Sequence, residues 1–205
     1  MGLKWAAGAV DKEGTRTSLF NARTNQRPEF GEQLAAARRG DDWAWHHFYT
    51  ELIGPITGYL KSRGAREPDD LAAETFLHVA RNISTFEGDQ ASFRSWVFVI
   101  AHRRLIDSRR AAARRPQIAD RDDEEHEGGN VEDEAIGLLG DHRVNELLDQ
   151  LTEDQREVLT LRVVADLSLK ETARVTGRDV GSVKALQRRA IQRLQRVIQH
   201  GTVTQ

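Results

Sequence analysis

Apolar residues at helical spacing are the feature that most limits the folds open to this chain. In residues 30–115 and 142–201 they recur three or four positions apart, and no segment of the chain alternates polar and apolar residues as a strand does. Residues 71–83 show the pattern most clearly, with one apolar stripe made of Leu71, Ala72, Thr75, Phe76, Val79, Ala80 and Ile83. The sequence therefore predicts an all-α protein.

Turn and capping residues divide the first half of this pattern into separate helices. Pro55 is expected to interrupt one helix, because proline lacks an amide hydrogen, and Pro68 suits the first turn of the next. The Gly and Asp content of residues 84–91 predicts a loop. Ser92 can cap the helix that follows, and Pro116 ends it.

The second half is shorter and more sharply divided. Residues 152–155 and 168–171 each form a capping box, with Thr or Ser at the first position and Gln or Glu at the fourth. The second box opens a short helix that stops at Gly177, and a long basic helix is predicted over residues 182–201. A short helix, a tight turn and a long basic helix indicate a helix-turn-helix unit.

Charge is distributed very unevenly along the chain. Residues 102–115 hold six basic residues and one acidic residue, and residues 178–200 hold the same numbers. Residues 116–141, between them, hold ten acidic residues and one basic residue. We expect this acidic segment to be a flexible linker between two small helical domains. Residues 1–28 lack any periodic pattern and are expected to form a flexible tail.

Composition excludes several classes of protein. Cysteine is absent, which rules out disulfides and thiolate metal sites and fits the cytoplasm. No stretch approaches the roughly 18 apolar residues of a spanning helix, so membrane insertion is not expected. Without a Gly-rich phosphate loop or a nucleophile arrangement, we expect no catalysis and no cofactor. The metal-site alternative would use four residues of two helices: His46, His47, Glu74 and His78.

The long basic helix has the pattern of a DNA-reading element. Lys184 and Arg188 are four positions apart, so both emerge on one face, opposite the apolar seam of Val183, Leu186 and Ala190. A helix fits the major groove, where Arg or Lys can make a paired hydrogen bond to guanine. The alternative is an amphipathic helix with ordinary surface arginines.

A second cationic surface is predicted at the end of the helix that follows residues 84–91. Its arginines would attract phosphate without reading sequence, and the ring of Phe86 could touch unstacked bases of opened DNA. The alternatives are a solubilising helix end for the arginines and core packing for the aromatic rings, above all Phe93 and Trp96.

Four stretches, taken in order, resemble one known family. They are residues 69–76 (DDLAAETF), 93–107 (FRSWVFVIAHRRLID), 151–159 (LTEDQREVL) and 180–184 (VGSVK). Over about residues 30–200 the chain resembles bacterial sigma factors of the extracytoplasmic-function group of the sigma-70 family. The resemblance implies a region 2 helical domain at 29–115, the linker at 116–141, and a region 4 helix-turn-helix domain at 142–201.

The resemblance also implies function and site residues. It assigns docking on RNA polymerase core to Asp70, Glu74 and Phe76. It assigns recognition and melting of the minus-ten promoter element to a loop and two arginines: Phe86, Glu87, Gly88, Asp89, Gln90, Ala91, Arg103 and Arg104. It assigns the minus-thirty-five element to the long basic helix, at Ser182, Lys184, Ala185, Arg188 and Arg189.

The partners implied are the largest and second-largest subunits of the polymerase core, promoter DNA, and an anti-sigma protein as a further candidate. Two positions depart from the family pattern. Ala73 stands where the docking motif usually has Gln, and Val180 stands where many members have Pro. The alternative function is a stand-alone helix-turn-helix regulator whose N-terminal domain dimerises or senses a ligand.

Overall fold

The structure is a computed structural model that describes residues 29–114 and 143–201. The described residues are helical and contain no strand, which confirms the predicted all-α fold. The predicted tail and the acidic segment 116–141 lie outside the described residues. Among the helices of the described part, none is both long and apolar enough to cross a membrane.

Residues 29–114, here called the N lobe, form four helices and one short turn. The helices are α1 (Phe30–Arg39), α2 (Asp42–Ser62), α3 (Pro68–Asn82) and α4 (Gln90–Arg114), with a 3-10 turn at Ile83–Thr85. Their apolar faces meet in a core that fully buries Phe48, Tyr59, Phe98 and Leu105. This core fixes the direction of α4, which carries the second of the two predicted cationic surfaces.

Proline 55 does not interrupt α2, so that prediction was wrong. The helix runs unbroken from Asp42 to Ser62. Leu52 lies before the proline and Ile56, Tyr59 and Leu60 lie after it, and all four are buried in the core. Burial on both sides of the proline outweighs the loss of one helical hydrogen bond.

Residues 143–201, here called the C lobe, form a second group of helices. Residues 143–149 are helical and are called α5, followed by α6 (Glu153–Val163), α7 (Leu169–Thr176) and α8 (Val180–Gly201). Both predicted capping boxes are present, at Thr152 and at Ser168. Gly177 ends α7 at a left-handed φ of 68°, as the sequence predicts.

The two lobes pack against each other. Four C-lobe residues join the main N-lobe core: Leu161, Ala165, Leu167 and Val175. The C lobe keeps a small core of its own, built on Val158, Ala173 and Val183. α6 therefore buries side chains in two directions, toward the N lobe and toward α7 and α8.

Candidate nucleic-acid interface

The helix-turn-helix unit presents α8 with its charged face outward. Val183 and Ala190 are fully buried beneath it, while Lys184, Arg188 and Arg189 are exposed. The apolar face and the charged face of α8 thus lie on opposite sides of the helix, as the four-residue spacing of Lys184 and Arg188 predicts. Charge on this exposed face can approach a DNA groove without any rearrangement of the C lobe.

Asp179 caps the start of α8. Its carboxylate accepts hydrogen bonds from the Ser182 hydroxyl at 2.5 Å and from the Ser182 backbone N–H at 2.8 Å. These bonds, the hydroxyl first, hold the pKa of Asp179 below its usual value. The Ser182 hydroxyl is therefore engaged in capping, and the helix begins at Val180, two residues earlier than predicted.

Replacing Asp179 by alanine should destabilise the start of α8, because two donors of Ser182 lose their acceptor. A depressed carboxyl pKa means that this stabilisation is complete above about pH 4 and disappears as pH falls through the lowered value. Thermal melting followed by circular dichroism should show a lower Tm for Asp179→Ala at pH 7. Asp179→Asn, which keeps an acceptor, is the control, and equal melting of wild type and Asp179→Ala would contradict the assignment.

The loop before α4 is built on a buried aromatic ring. Phe86 is only 6% exposed. Its ring centroid lies 5.2 Å from that of Phe93 and 5.2 Å from that of Trp96. In this arrangement a base cannot reach the ring of Phe86, which instead supports the loop from below, whereas residues 87–91 are exposed.

Two further features fix the shape of this loop. Arg38 of α1 donates to the backbone oxygens of Ile83, at 3.4 Å, and of Phe86. Gly88 has φ 146°, and a Cβ atom there would lie 2.9 Å from Cβ of Ser92, so only glycine fits. Sequence reasoning missed Arg38, since a basic residue in the last turn of a helix is common and gives no sign of a distant partner.

The cap of α4 is Asp89, and the prediction that Ser92 provides it was wrong. Asp89 accepts the Ser92 backbone N–H at 2.8 Å, and the helix begins at Gln90. Hydrogen bonds from Ser92 lower the pKa of Asp89. The Asp89 carboxylate is therefore committed to the helix start, while its neighbours Gln90 and Ala91 are exposed at the surface.

The arginines of α4 have different surroundings. Arg103 is exposed. The Arg104 guanidinium lies 3.4 Å from the Glu74 carboxylate and 3.4 Å from the His78 ring. Arg109 is turned toward the C lobe and bonds to Glu153 at 2.6 Å. The structure thus joins Arg104 and Glu74, which the sequence resemblance assigns to different partners.

The predicted docking surface on α3 combines two carboxylates with an apolar groove. Asp70 and Glu74 are exposed, but Phe76 is 9% exposed and packs against Tyr49, with ring centroids 4.9 Å apart. The groove measures ≈ 530 Å³ and is lined by Trp45, His46, Tyr49, Ala73, Phe76, Leu77 and Ala80. Ligand-binding clefts measure roughly 300–1,000 Å³. Sequence reasoning missed Tyr49 and Leu77, because isolated surface apolar residues are common.

The residues of the metal-site alternative do not come together. Glu74 and His78 face Arg104, a fixed cation, and His47 instead pairs with Glu51 at 3.6 Å. In the ranges that the structure describes, no group of three or more His, Asp or Glu side chains could hold a metal ion.

Comparison with known families gives two matches. Residues 48–115 match the model "Sigma-70 region 2", and residues 141–194 match "Sigma-70, region 4". The two matches cover most of each lobe and leave most of the acidic segment between them unmatched.

Individual proteins agree with the family models. The chain is 31% identical over 184 residues to the ECF RNA polymerase sigma factor ShbA of Streptomyces griseus, covering 84% of this chain and 96% of that protein. It is 29% identical to the ECF RNA polymerase sigma factor BldN of Streptomyces coelicolor, covering 82% of this chain and 65% of that protein's length.

A solved structure shares the fold. It is the sigma factor RpoE in complex with the anti-sigma factor NepR from Bartonella quintana, at 17% sequence identity and a TM-score of 0.54. The match covers 75% of this chain and 96% of that one.

Proposed function

The chain belongs to the extracytoplasmic-function group of the sigma-70 family, and on that basis we propose that it binds RNA polymerase core and directs promoter-specific transcription initiation. The observation that carries the proposal is the exposed cationic face of α8 on a helix-turn-helix lobe, joined in one chain to a region 2 lobe. A sigma factor is a transcription initiation factor, and we assign this chain no catalytic step of its own. Its place of action is the cytoplasm, where the polymerase and the DNA are.

The C lobe reads the minus-thirty-five element through α8. Lys184, Arg188 and Arg189 are the exposed cations of the reading face, and Ala185 between them leaves room for a base edge. Ser182 acts mainly by holding the helix start through Asp179. A guanine contacted by Arg188 is the base whose recognition should depend most on this helix.

The N lobe reads and opens the minus-ten element through the loop 87–91. Its exposed backbone and side chains are held in place by Phe86 below and by Arg38 at the side. Arg103 and Arg104 supply positive charge for the adjoining phosphates. Phe86 is thus a positioning residue for this loop.

Docking on the polymerase core uses the exposed side of α3. Asp70 and Glu74 offer negative charge beside the apolar groove, and Ala73 widens that groove where other members have Gln. Phe76 supports the surface from its buried position. We assign the region 2 domain to residues 29–115 and the region 4 domain to residues 142–201, with residues 116–141 as the linker. An anti-sigma protein, as in the structure of the Bartonella quintana sigma factor, is the further partner.

In vitro transcription tests this function. The purified chain is added to bacterial core polymerase with a library of genomic fragments, and we expect specific run-off transcripts that require the chain. Capture of core polymerase by the tagged chain separates the proposal from a stand-alone regulator, which needs no core contact. Absence of chain-dependent transcripts from every fragment would contradict the proposal.

A further inference from the structure

The groove between α2 and α3 leaves large apolar side chains uncovered. Tyr49 of α2 is 49% exposed and Leu77 of α3 is 56% exposed, and both line the groove. Ala73 and Ala80 add only small side chains to its wall, so the surface between the larger residues stays open. A contiguous apolar surface of this kind marks a place where another chain segment or protein binds. The groove is therefore a binding surface also while polymerase core is absent.

Carboxylates flank this groove on α3. Asp70, Glu74 and Leu77 are three or four positions apart, so they share one face of the helix. Asp70 and Glu74 are both exposed. Within the part of the chain that the structure describes, Glu74 has Arg104 at 3.4 Å, whereas Asp70 has no ion-pair partner. An occupant with apolar side chains and positive charge beside them would match this surface.

One segment of the N-terminal tail has both properties. In residues 16–23 (RTSLFNAR), the adjacent large apolar residues Leu19 and Phe20 are followed and preceded by an arginine at each end of the segment. Residues 1–28 as a whole hold five basic residues and two acidic ones. The tail is thus positively charged and the rim of the groove is acidic, so electrostatic attraction favours contact between them.

The start of α1 lies close enough to the groove for this segment to reach it. The rings of Phe30 and of Trp45, which lines the groove, both lie beside the ring of Phe48, at centroid distances of 6.1 and 6.4 Å. Phe20 is ten positions before Phe30, and ten residues can span up to about 35 Å. A tether of this length gives an effective concentration on the order of millimolar. Weak contacts are therefore sufficient to fill the groove.

The other large apolar residues of the tail match the groove less well. Leu3 and Trp5 are 27 and 25 positions before Phe30, so their tether is longer and their effective concentration lower. Both carboxylates of residues 1–28, those of Asp11 and Glu13, lie between them and α1. The acidic rim of the groove would repel these two groups.

We propose that residues 16–23 bind the groove between α2 and α3 of the same chain while polymerase core is absent. Leu19 and Phe20 fill the apolar space, and the two arginines face the carboxylates of α3. The inference rests on the function proposed above, because this groove belongs to the surface that we assign to core docking. Core polymerase and the segment cannot occupy the groove together, so the segment is a built-in competitor that weakens docking.

Removal of the two apolar side chains tests the competitor. We expect the full-length Leu19→Ala/Phe20→Ala variant to bind core polymerase about three- to tenfold more tightly than the wild type, because nothing then has to leave the groove. Titration of the fluorescently labelled chain with bacterial core polymerase measures the dissociation constant. Leu3→Ala/Trp5→Ala is the matched control, since it also removes two large apolar side chains from the tail, and it should leave the constant unchanged.

The outcomes separate this inference from the proposed function. Failure of the wild type and of every variant to bind core polymerase would contradict the proposed function. Equal dissociation constants for the wild type and Leu19→Ala/Phe20→Ala would overturn the competitor alone. Weaker binding by that variant would overturn it too, because the segment would then assist docking, and so would an equal gain in the Leu3→Ala/Trp5→Ala control.

A spin label locates the segment without any polymerase. The chain contains no cysteine, so a nitroxide attached to Asn21→Cys labels one position. We expect this label to broaden the backbone amide NMR signals of Tyr49 and Leu77, and we expect added Leu19→Ala/Phe20→Ala substitutions to restore them. Absence of broadening would overturn the inference. Broadening that appears only between labelled and unlabelled chains in a mixture would assign the groove to a second copy and would overturn it as well.

Discussion

Replacing Arg188 by alanine should lower transcription from the promoters of this chain by about 5- to 150-fold. The exposed guanidinium of Arg188 can make a paired hydrogen bond to guanine, and such a pair contributes about 1–3 kcal/mol of discrimination. The side chain lies outside the C-lobe core, so thermal stability should not change. Run-off transcription and Tm, measured on the same preparation, check both parts.

Two variants define what the Arg188 result means. Arg193→Ala removes one equal charge further along α8 and should have a much smaller effect. Glu74→Lys, on the exposed side of α3, should instead weaken capture of core polymerase. Equal loss of core capture and of transcription in Arg188→Ala would contradict the assignment of α8 to DNA.

Replacing Phe86 by alanine should destabilise the N lobe by about 3–5 kcal/mol and abolish promoter opening. The ring is buried between Phe93 and Trp96, so its removal leaves a cavity beneath the loop 87–91. Urea denaturation measures the first effect. Permanganate reactivity of unpaired thymines in the polymerase–promoter complex measures the second.

Phe86→Leu is the control, because it fills much of the same space and should retain most of the stability and part of the opening. Leucine has no aromatic face, so it could not take over the function of a ring that stacks directly on a base. Full stability together with lost opening in Phe86→Leu would show that the ring itself contacts DNA. That result would contradict its role as a support.

Local rules predicted much of the fold. Several helix ends were predicted correctly because the interacting groups are close in sequence. They are the capping boxes at Thr152 and Ser168, the helix end at Gly177 and the first-turn proline Pro68. Where the partner is that near, residue type and spacing are sufficient. The outward face of α8 followed in the same way from the four-residue spacing of Lys184 and Arg188.

Longer-range contacts were not accessible from the sequence. Pro55 was expected to break α2, but Leu52, Ile56 and Tyr59 on either side of it are buried in a core shared with other helices, and this burial keeps the helix continuous. Phe86 and Trp96 are only ten positions apart, yet nothing local indicates that one ring covers the other. Asp89 and Ser92 are both good caps by residue type, and in the structure Asp89 accepts the backbone N–H of Ser92.

The packing of the two lobes was also not predicted. Glu157 follows a capping box on a helix rich in charge, where a surface position is the ordinary expectation. Its burial depends on Arg63 and His102, which are 94 and 55 positions away in the sequence and come near only in the folded chain. For this reason the sequence indicated two domains on a linker but not a face that joins them.

We propose that both cationic faces engage one promoter together while polymerase core holds both lobes. Insertion of five base pairs between the two elements of a promoter found in the fragment library tests it directly, because half a helical turn moves one element to the other side of the duplex. We predict a loss of chain-dependent transcription of at least tenfold. Unchanged transcription from the lengthened promoter would show that the two faces do not act together on one duplex.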